Sequence, residues 1–221
     1  MRARPSCFRR QFGRVNWCRF MAKKVIGVVG SYRKGRVIDS AVSEVLKKAE
    51  AAGAETAKVY LIDKHIEFCT NCRSCTQQKD PYPRATCIHS DDLEPLLQEI
   101  DAADGLVLGS PVNFGNVTAV TRRMLERLLV YVYWPWGAKM PKLRIKKRTK
   151  KAVIVTASAC PAWLARIIMR APLRALKAMA NCLGANVVAS LYFGTVAQAA
   201  DHKLGAKCLA KAHKAGEKLA S

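Results

Sequence analysis

Gly30-Ser31-Tyr32-Arg33-Lys34-Gly35-Arg36-Val37 is the stretch that decides the fold. It follows an apolar run, Val25-Ile26-Gly27-Val28-Val29. It leads into Ile38, Ala41, Val42, Val45, Leu46 and Ala49, which recur at helical spacing. A strand that stops at a small, hydroxyl-bearing, basic loop and restarts as a helix is suited to hold a phosphate. Loop amides and the helix N-terminus point at the anion, the hydroxyl donates, and the cations neutralise. Ser31, Arg33 and Lys34 suit a terminal phosphate monoester. The loop lacks the Gly-Lys-Ser/Thr ending of a Walker loop, and it is not a Gly-x-Gly-x-x-Gly dinucleotide fingerprint.

Outward from this loop the chain alternates. Residues 24–30 read as a buried strand, and Gly53 ends the first helix. Residues 57–62 read as strand two, and a cysteine-rich, proline-containing excursion occupies 63–90. A helix opens near Asp92, because Pro95 is tolerated only in a first turn. Residues 105–109 read as strand three, 117–130 as helix and 152–156 as strand four. Residues 162–183 read as a helix bent at Pro172, 186–193 as strand five and 201–219 as the last helix. Near-continuously apolar strands alternating with helices imply a parallel sheet covered on both faces, a doubly wound α/β domain. Such sheets bind ligands at the C-terminal strand ends. The loops after strands one, three and four should therefore converge.

With 221 residues, 50% of them hydrophobic, the chain can bury one full core, so a single domain is expected. Residues 22–221 should form it. Residues 1–21 read as a basic extension, disordered or upstream of the true start: the first twenty hold six arginines and no acid. Arg9-Arg10 is not followed by the apolar stretch of an export signal. A second basic block, 139–151, holds eight cations in thirteen positions, and the net charge is +22. Such blocks attract polyanions without sequence choice. No apolar run reaches the ~18 residues of a membrane span. Nine unevenly spaced cysteines do not form a secretory framework and point to a reducing compartment, the cytoplasm.

Two further loops carry chemistry. Gly109-Ser110-Pro111-Val112-Asn113-Phe114-Gly115-Asn116 is stiff, offers backbone amides and presents Phe114, as the seat of a flat heteroaromatic ring would. Thr156-Ala157-Ser158-Ala159 has small side chains that allow a ring to approach closely. Together the three loops resemble the flavodoxin-like, NAD(P)H-dependent FMN reductase superfamily, and within it the cysteine-bearing, iron–sulfur flavoprotein-like branch. Gly30-Ser31-Tyr32-Arg33-Lys34 matches the opening, Cys69-Thr70-Asn71-Cys72-Arg73-Ser74-Cys75 followed by Asp91-Asp92 the cysteine segment, and Ser110-Pro111-Val112-Asn113-Phe114-Gly115 the ring loop. The resemblance implies a five-stranded parallel sheet in the order 2-1-3-4-5, with FMN as cofactor. The phosphate would lie on Ser31, Arg33 and Val37, with Lys34 and Ile38 also counted among the cofactor-binding residues. The ring would lie on Ser110, Pro111, Val112, Asn113, Phe114 and Gly115, with Ala157 and Ser158 beside it. Asn113 stands where the family has Tyr, and Arg36-Val37-Ile38 replaces its common Gly-Asn-Thr.

Cys69, Cys72, Cys75 and Cys87 follow a C-x2-C-x2-C-x11-C spacing. Thiolates at two-residue gaps can wrap the corners of an iron–sulfur cubane, with the fourth arriving from a distance. A zinc site, a redox disulfide and free thiols are the alternatives; zinc prefers paired Cys-x-x-Cys arms. Asp91 and Asp92 read as first-turn helix acids, and Trp134-Pro135-Trp136 as a flavin lid, a subunit contact or local packing.

The resulting expectation is an FMN-dependent oxidoreductase. It would pass electrons from NAD(P)H to a quinone, flavin, metal or iron–sulfur acceptor, as a homo-oligomer without a nucleic-acid partner. No catalytic acid or base is required, because the cofactor carries the chemistry. The alternatives are an electron carrier that never oxidises nicotinamide, and a nucleic-acid-binding protein on the same scaffold.

Overall fold

The computed structural model describes residues 22–199 and 201–221, so the expectation for residues 1–21 lies outside the described residues. β1 (Lys24–Val29) pairs in parallel with β2 (Glu55–Tyr60) on one side and β3 (Gly105–Gly109) on the other. β6 (Lys150–Ala157) and β7 (Ala185–Phe193) continue the sheet, giving the order β2-β1-β3-β6-β7. The remaining strands, β4 (Val132–Tyr133) and β5 (Lys142–Leu143), form a separate two-residue antiparallel ladder. Counting main-sheet strands alone, the order is the expected 2-1-3-4-5, and the doubly wound α/β class holds.

Apolar side chains alternate between two faces, because successive strand residues point to opposite sides. Val25, Val29, Val107, Val153 and Val155 face α1 (Val37–Ala51) and α7 (Ala206–Ala220). Ile26, Val28, Leu106, Leu108 and Ile154 face α3 (Leu93–Asp101), α4 (Ala119–Arg127), α6 (Ala171–Cys182) and the cysteine excursion. That excursion contains the one-turn α2 (Ser74–Gln77). α7 crosses α1 so closely that a Cβ on Gly216 would lie 2.4 Å from the Val45 carbonyl oxygen.

Several boundaries differ from the sequence expectation. β2 starts two residues early and turns into a 3₁₀ turn at Leu61–Asp63. The helix expected over 117–130 is α4 followed by a 3₁₀ turn, Leu128–Tyr131. The segment 162–183 is broken rather than bent, into α5 (Ala162–Ile168) and α6. A proline inside a helix clashes with the carbonyl four residues back, so the chain breaks first and Pro172 falls in the opening turn of α6. The last helix begins at Ala206, which leaves 201–205 as loop. Among the described residues no helix is long and apolar enough to cross a membrane.

Two cations of the basic block close helix ends, and Arg148 donates to Asn181 Oδ1 at 2.7 Å. Lys150 Nζ donates to the carbonyls of Ile100, Asp101 and Ala103 at 2.9, 2.5 and 2.7 Å, closing the C-terminus of α3. Arg144 donates to the carbonyls of Cys75 and Gln78 at 3.0 and 2.7 Å, closing α2. Lys146, Lys147 and Arg148 remain exposed.

Candidate functional site

The sheet's hydrogen bonding runs on past the strand ends and draws three loops together. Gly30 N donates to Gly109 O at 2.7 Å, Ser110 N to Val155 O at 3.0 Å, Val112 N to Ala157 O at 2.8 Å and Ser158 N to Phe193 O at 2.9 Å. The Gly30 carbonyl accepts from Thr118 Oγ1 at 2.6 Å and Thr121 Oγ1 at 3.2 Å, which ties the phosphate loop to the start of α4. Only glycine fits there: a Cβ on Gly30 would stand 1.9 Å from Thr121 Oγ1.

The loops enclose a cleft of about 260 Å³. Ser31, Arg33, Val37, Ile38, Pro111, Val112, Ala157 and Ser158 line it, all of them expected from sequence. Arg36, Val196 and His202 line it as well and were not foreseen. His202 reaches it because 201–205 is loop; read as helix, that segment carried no ligand signal.

The other expected residues lie elsewhere. Lys34 Nζ pairs with Asp63 at 2.6 Å and sits 4.9 Å from the Tyr60 ring centroid, so it does not line the cleft. Ser110 is fully buried, and its Oγ accepts from Thr118 N at 3.1 Å, bracing the α4 cap. Asn113 and Asn116 close a tight turn on each other, Asn113 N donating to Asn116 O at 2.7 Å. Phe114 at its tip is fully exposed, and Phe114 and Gly115 line no part of the cleft. The amides of Val112 and Asn113, two of those expected to face a ring, already have acceptors.

Near the loop, buried Asp39 accepts from Gly35 N at 2.6 Å, Lys58 Nζ at 2.8 Å and Tyr60 Oη at 3.1 Å. Burial acts to raise its pKa, but these donors outweigh it and hold the carboxyl below its ordinary value.

Beneath α4 a second, much smaller cavity of about 20 Å³ is lined by Cys69, Cys72, Cys75 and Cys87, with Arg73, His89 and Arg127. Asn71 and Arg73 take left-handed backbone angles, φ 53° and 62°, which turn the Cys-x-x-Cys-x-x-Cys run back on itself. Arg73 is held between Trp134 and Trp136, 4.4 and 3.9 Å from their centroids, and donates to Trp134 O at 2.8 Å. The Trp-Pro-Trp segment thus packs on the cysteine loop through Arg73, with Trp136 left largely exposed. Cys87 is delivered from the far side by Ala85 N, which donates to Val130 O at 2.8 Å.

Asp91 corrects a sequence expectation. Its side chain is 0% exposed and forms a 2.6 Å ion pair with Arg127, itself 2% exposed. It also accepts from Glu67 N at 2.8 Å and Leu93 N at 3.1 Å. It is a buried counter-ion between the cysteine loop and α4, well beyond an ordinary first-turn acid. Burial works to raise its pKa, yet Arg127 and the two amides prevail and lower it.

The thiols sense one another. Burial first, then Cys87, Cys69 and Cys72, push the Cys75 pKa up to about 11. The Ser74 hydroxyl pulls exposed Cys72 down. All seven described cysteines are free. No three described His, Cys, Asp or Glu side chains are grouped so as to hold a single metal ion. A cubane takes its thiolates at separate iron corners, so it asks for four sulfurs around one cavity rather than around one point.

The NADPH-dependent FMN reductase family matches residues 23–199. The chain belongs to that family. Its members are FMN-dependent oxidoreductases, and the curated relatives of this chain within it are iron–sulfur flavoproteins. One from Archaeoglobus fulgidus is 32% identical over 112 residues, 51% of this chain and 48% of the relative. Another, from Methanosarcina thermophila, is 29% identical over 104 residues, 47% of this chain and 51% of the relative. The chain spans about half the length of the curated relatives it matches. An FMN-dependent NADH-azoreductase from Bacillus anthracis, solved with FMN, shares the fold with a TM-score of 0.64 at 13% identity, covering 90% of this chain and 100% of that one.

The cleft suits the FMN that the family's description names, and the cysteine pocket can be tested in the same way for an anionic group. In the cleft, Arg36 gives α1 no side-chain cap, so the first-turn amides face outward for an anion. Arg33 and Arg36 add charge, and Pro111, Val112 and Ala157 supply an apolar floor. In the cysteine pocket, Arg73 Nε, His89 Nε2 and Arg127 Nε are buried without a hydrogen-bond partner. Buried donors left unpaired are costly. Three around one cavity suit an anionic occupant, as a thiolate-bound cluster is.

Another cavity, of about 630 Å³, lies at the opposite strand ends. Its charges are already satisfied: Arg84 binds Glu94 at 2.7 Å and Asp101 at 2.8 Å, and Lys150 caps α3. Little there remains to recognise a ligand.

Proposed function

We propose that this chain is an FMN-dependent oxidoreductase that draws hydride from NADH or NADPH and passes the electrons to a small-molecule or protein acceptor. In this reading Cys69, Cys72, Cys75 and Cys87 hold an iron–sulfur cluster. The observation that carries it is the convergence, in one cleft, of Arg33, Arg36 and the open N-terminus of α1 with the small, apolar walls of Pro111–Val112 and Ala157–Ser158.

Bound FMN supplies hydride acceptance, and a cluster supplies one-electron transfer. The protein supplies position and field. Ser31 Oγ accepts from Arg33 N at 3.2 Å, which shapes the loop for a phosphate. The α1 amides, Arg33 and Arg36 neutralise that phosphate. Lys58 and Tyr60 hold the Asp39 charge, so that it repels the phosphate less. Pro111, Val112 and Ala157 exclude water from one side of a ring and leave its other side open for a nicotinamide or acceptor. The protein would act as a homo-oligomer in the cytoplasm, where its thiols stay reduced.

The full chain should purify yellow, take up FMN in calorimetry, and contain iron. Anaerobic mixing with NADPH or NADH should bleach the flavin band. A colourless protein that refuses FMN overturns the reading. A yellow protein that neither nicotinamide bleaches would instead be an electron carrier, the role the cysteine pocket favours as second choice.

A further inference from the structure

Six buried side-chain nitrogens and oxygens among the described residues have no hydrogen-bond partner, and three of the six line the small cysteine cavity. Arg127 is the most deeply placed of these residues, 3% exposed overall. Its Nη1 is fully used, donating to Asp91 Oδ2 at 2.6 Å and Glu67 O at 2.9 Å, while Nη2 reaches Asp91 Oδ1 at 3.4 Å. The guanidinium is therefore clamped on Asp91, while its Nε stays buried without a hydrogen-bond partner in a side chain that lines the pocket and interacts with Cys87.

This clamp is expensive in solvation. A buried carboxylate and a buried guanidinium lose water on both sides, and such pairs seldom stabilise a fold on balance. A helix-end cation exposed to solvent would close α4 as well. What the buried arrangement adds is a fixed positive group at the cavity that the four thiols line, inside a low-dielectric wall. His89 Nε2, a donor in one tautomer, and Arg73 Nε stand around the same cavity. Trp134 and Trp136 hold Arg73 there by stacking on its guanidinium.

We propose that Arg127, fixed by Asp91 and assisted by His89, tunes the reduction potential of the group held by Cys69, Cys72, Cys75 and Cys87, its Nε donating to a ligating sulfur. This rests on the cluster reading proposed above. Adding one electron makes a thiolate-bound cluster more negative. A positive group and sulfur-facing donors stabilise that reduced form and raise the potential. Arg127 is a positioning and tuning residue in this scheme, since it touches sulfur rather than substrate.

The test uses the full chain loaded with iron and sulfide, titrated anaerobically with dithionite as the one-electron source and followed by visible absorption and electron paramagnetic resonance. Three proteins are compared with the wild type: Arg127→Lys, the double variant Arg127→Gln with Asp91→Asn, and His89→Leu. The double variant removes the charge without stranding a buried carboxylate. It should keep its iron while becoming at least tenfold harder to reduce, about 59 mV lower for one electron. Arg127→Lys keeps the charge and loses the fork, so it should fall between. His89→Leu should shift the potential in the same direction by less, and it leaves the ion pair intact should the double variant fold poorly. Iron retained with an unmoved potential in both the double variant and His89→Leu overturns this proposal alone. A wild-type chain that takes no iron overturns the cluster reading, and this proposal with it. Iron lost from both of those variants also overturns it, since the residues would then be building the site rather than tuning it.

Discussion

The cleft at the strand ends and the pocket beneath α4 are both lined by residues gathered from distant parts of the chain, but they are held by different forces. In the cleft, backbone hydrogen bonds place the loops, and the groups lining it are a helix end, small side chains and two arginines. In the cysteine pocket, side chains do the placing: a buried ion pair, an arginine between two tryptophans and an arginine closing α2. The first arrangement follows from the fold and tolerates local change. The second depends on particular residues far apart in sequence, and one substitution can collapse it.

The sharpest way to break the comparison is Arg127→Ala. It leaves Asp91 charged and alone in a buried place, at a cost of about 3–5 kcal/mol. Denaturant melts should show that loss and iron loading should fail, while any folded fraction still binds FMN. Equal loss of FMN binding in the folded fraction would mean that the two sites are not independent. Next comes Gly30→Ala. Its Cβ would collide with Thr121 Oγ1, so the phosphate loop must move away from α4. Overpacking of this kind costs about 1–3 kcal/mol; a lowered melting temperature together with weaker FMN binding is expected.

Arg36→Ala probes the cleft without touching the core. Losing one charge-assisted contact to phosphate, about 1.5 kcal/mol, should raise the FMN dissociation constant about tenfold in a fluorescence titration. Riboflavin, which has no phosphate, should bind the variant and the wild type alike.

Acid should weaken the charge clamps of both regions. Asp39 and Asp91 each have a folded pKa lowered below 3.8. Their contribution is complete above the unfolded value and disappears as pH falls through the folded one. The urea midpoint should therefore drop as pH falls below about 4, and Asp39→Asn should flatten that drop. The smallest effect is expected for Lys34→Ala. Its pair with Asp63 is about half exposed on both sides, worth less than about 1 kcal/mol. Lys34 lies off the cleft, so FMN affinity should hardly change.

What was legible follows the same division. The apolar run from Val25 to Val29 and the helical spacing from Ile38 to Ala49 are local patterns, and β1 and α1 appear where they point. Ser31, Arg33, Pro111, Val112, Ala157 and Ser158 were legible as cleft residues because strand order alone brings strand-end loops together. Lys34 was assigned to phosphate by proximity in sequence, but its long side chain found Asp63 and Tyr60 instead. Ser110 was assigned to a ligand and braces a helix cap, a choice set by where Thr118 lies. Arg127 had no local signal: a cation in the last turn of a helix is ordinary. Only its partner, thirty-six residues upstream, makes it unusual.

By itself the sequence determined the doubly wound sheet, the order of its loops and the cysteine spacing, because hydrophobic periodicity and turn chemistry act over a few residues. Tertiary structure alone decided which charges are buried, which amides are already engaged and which donors are left unpaired in the residues around the thiols. Those outcomes depend on desolvation and on partners supplied by other elements, and neither exists until the chain has packed.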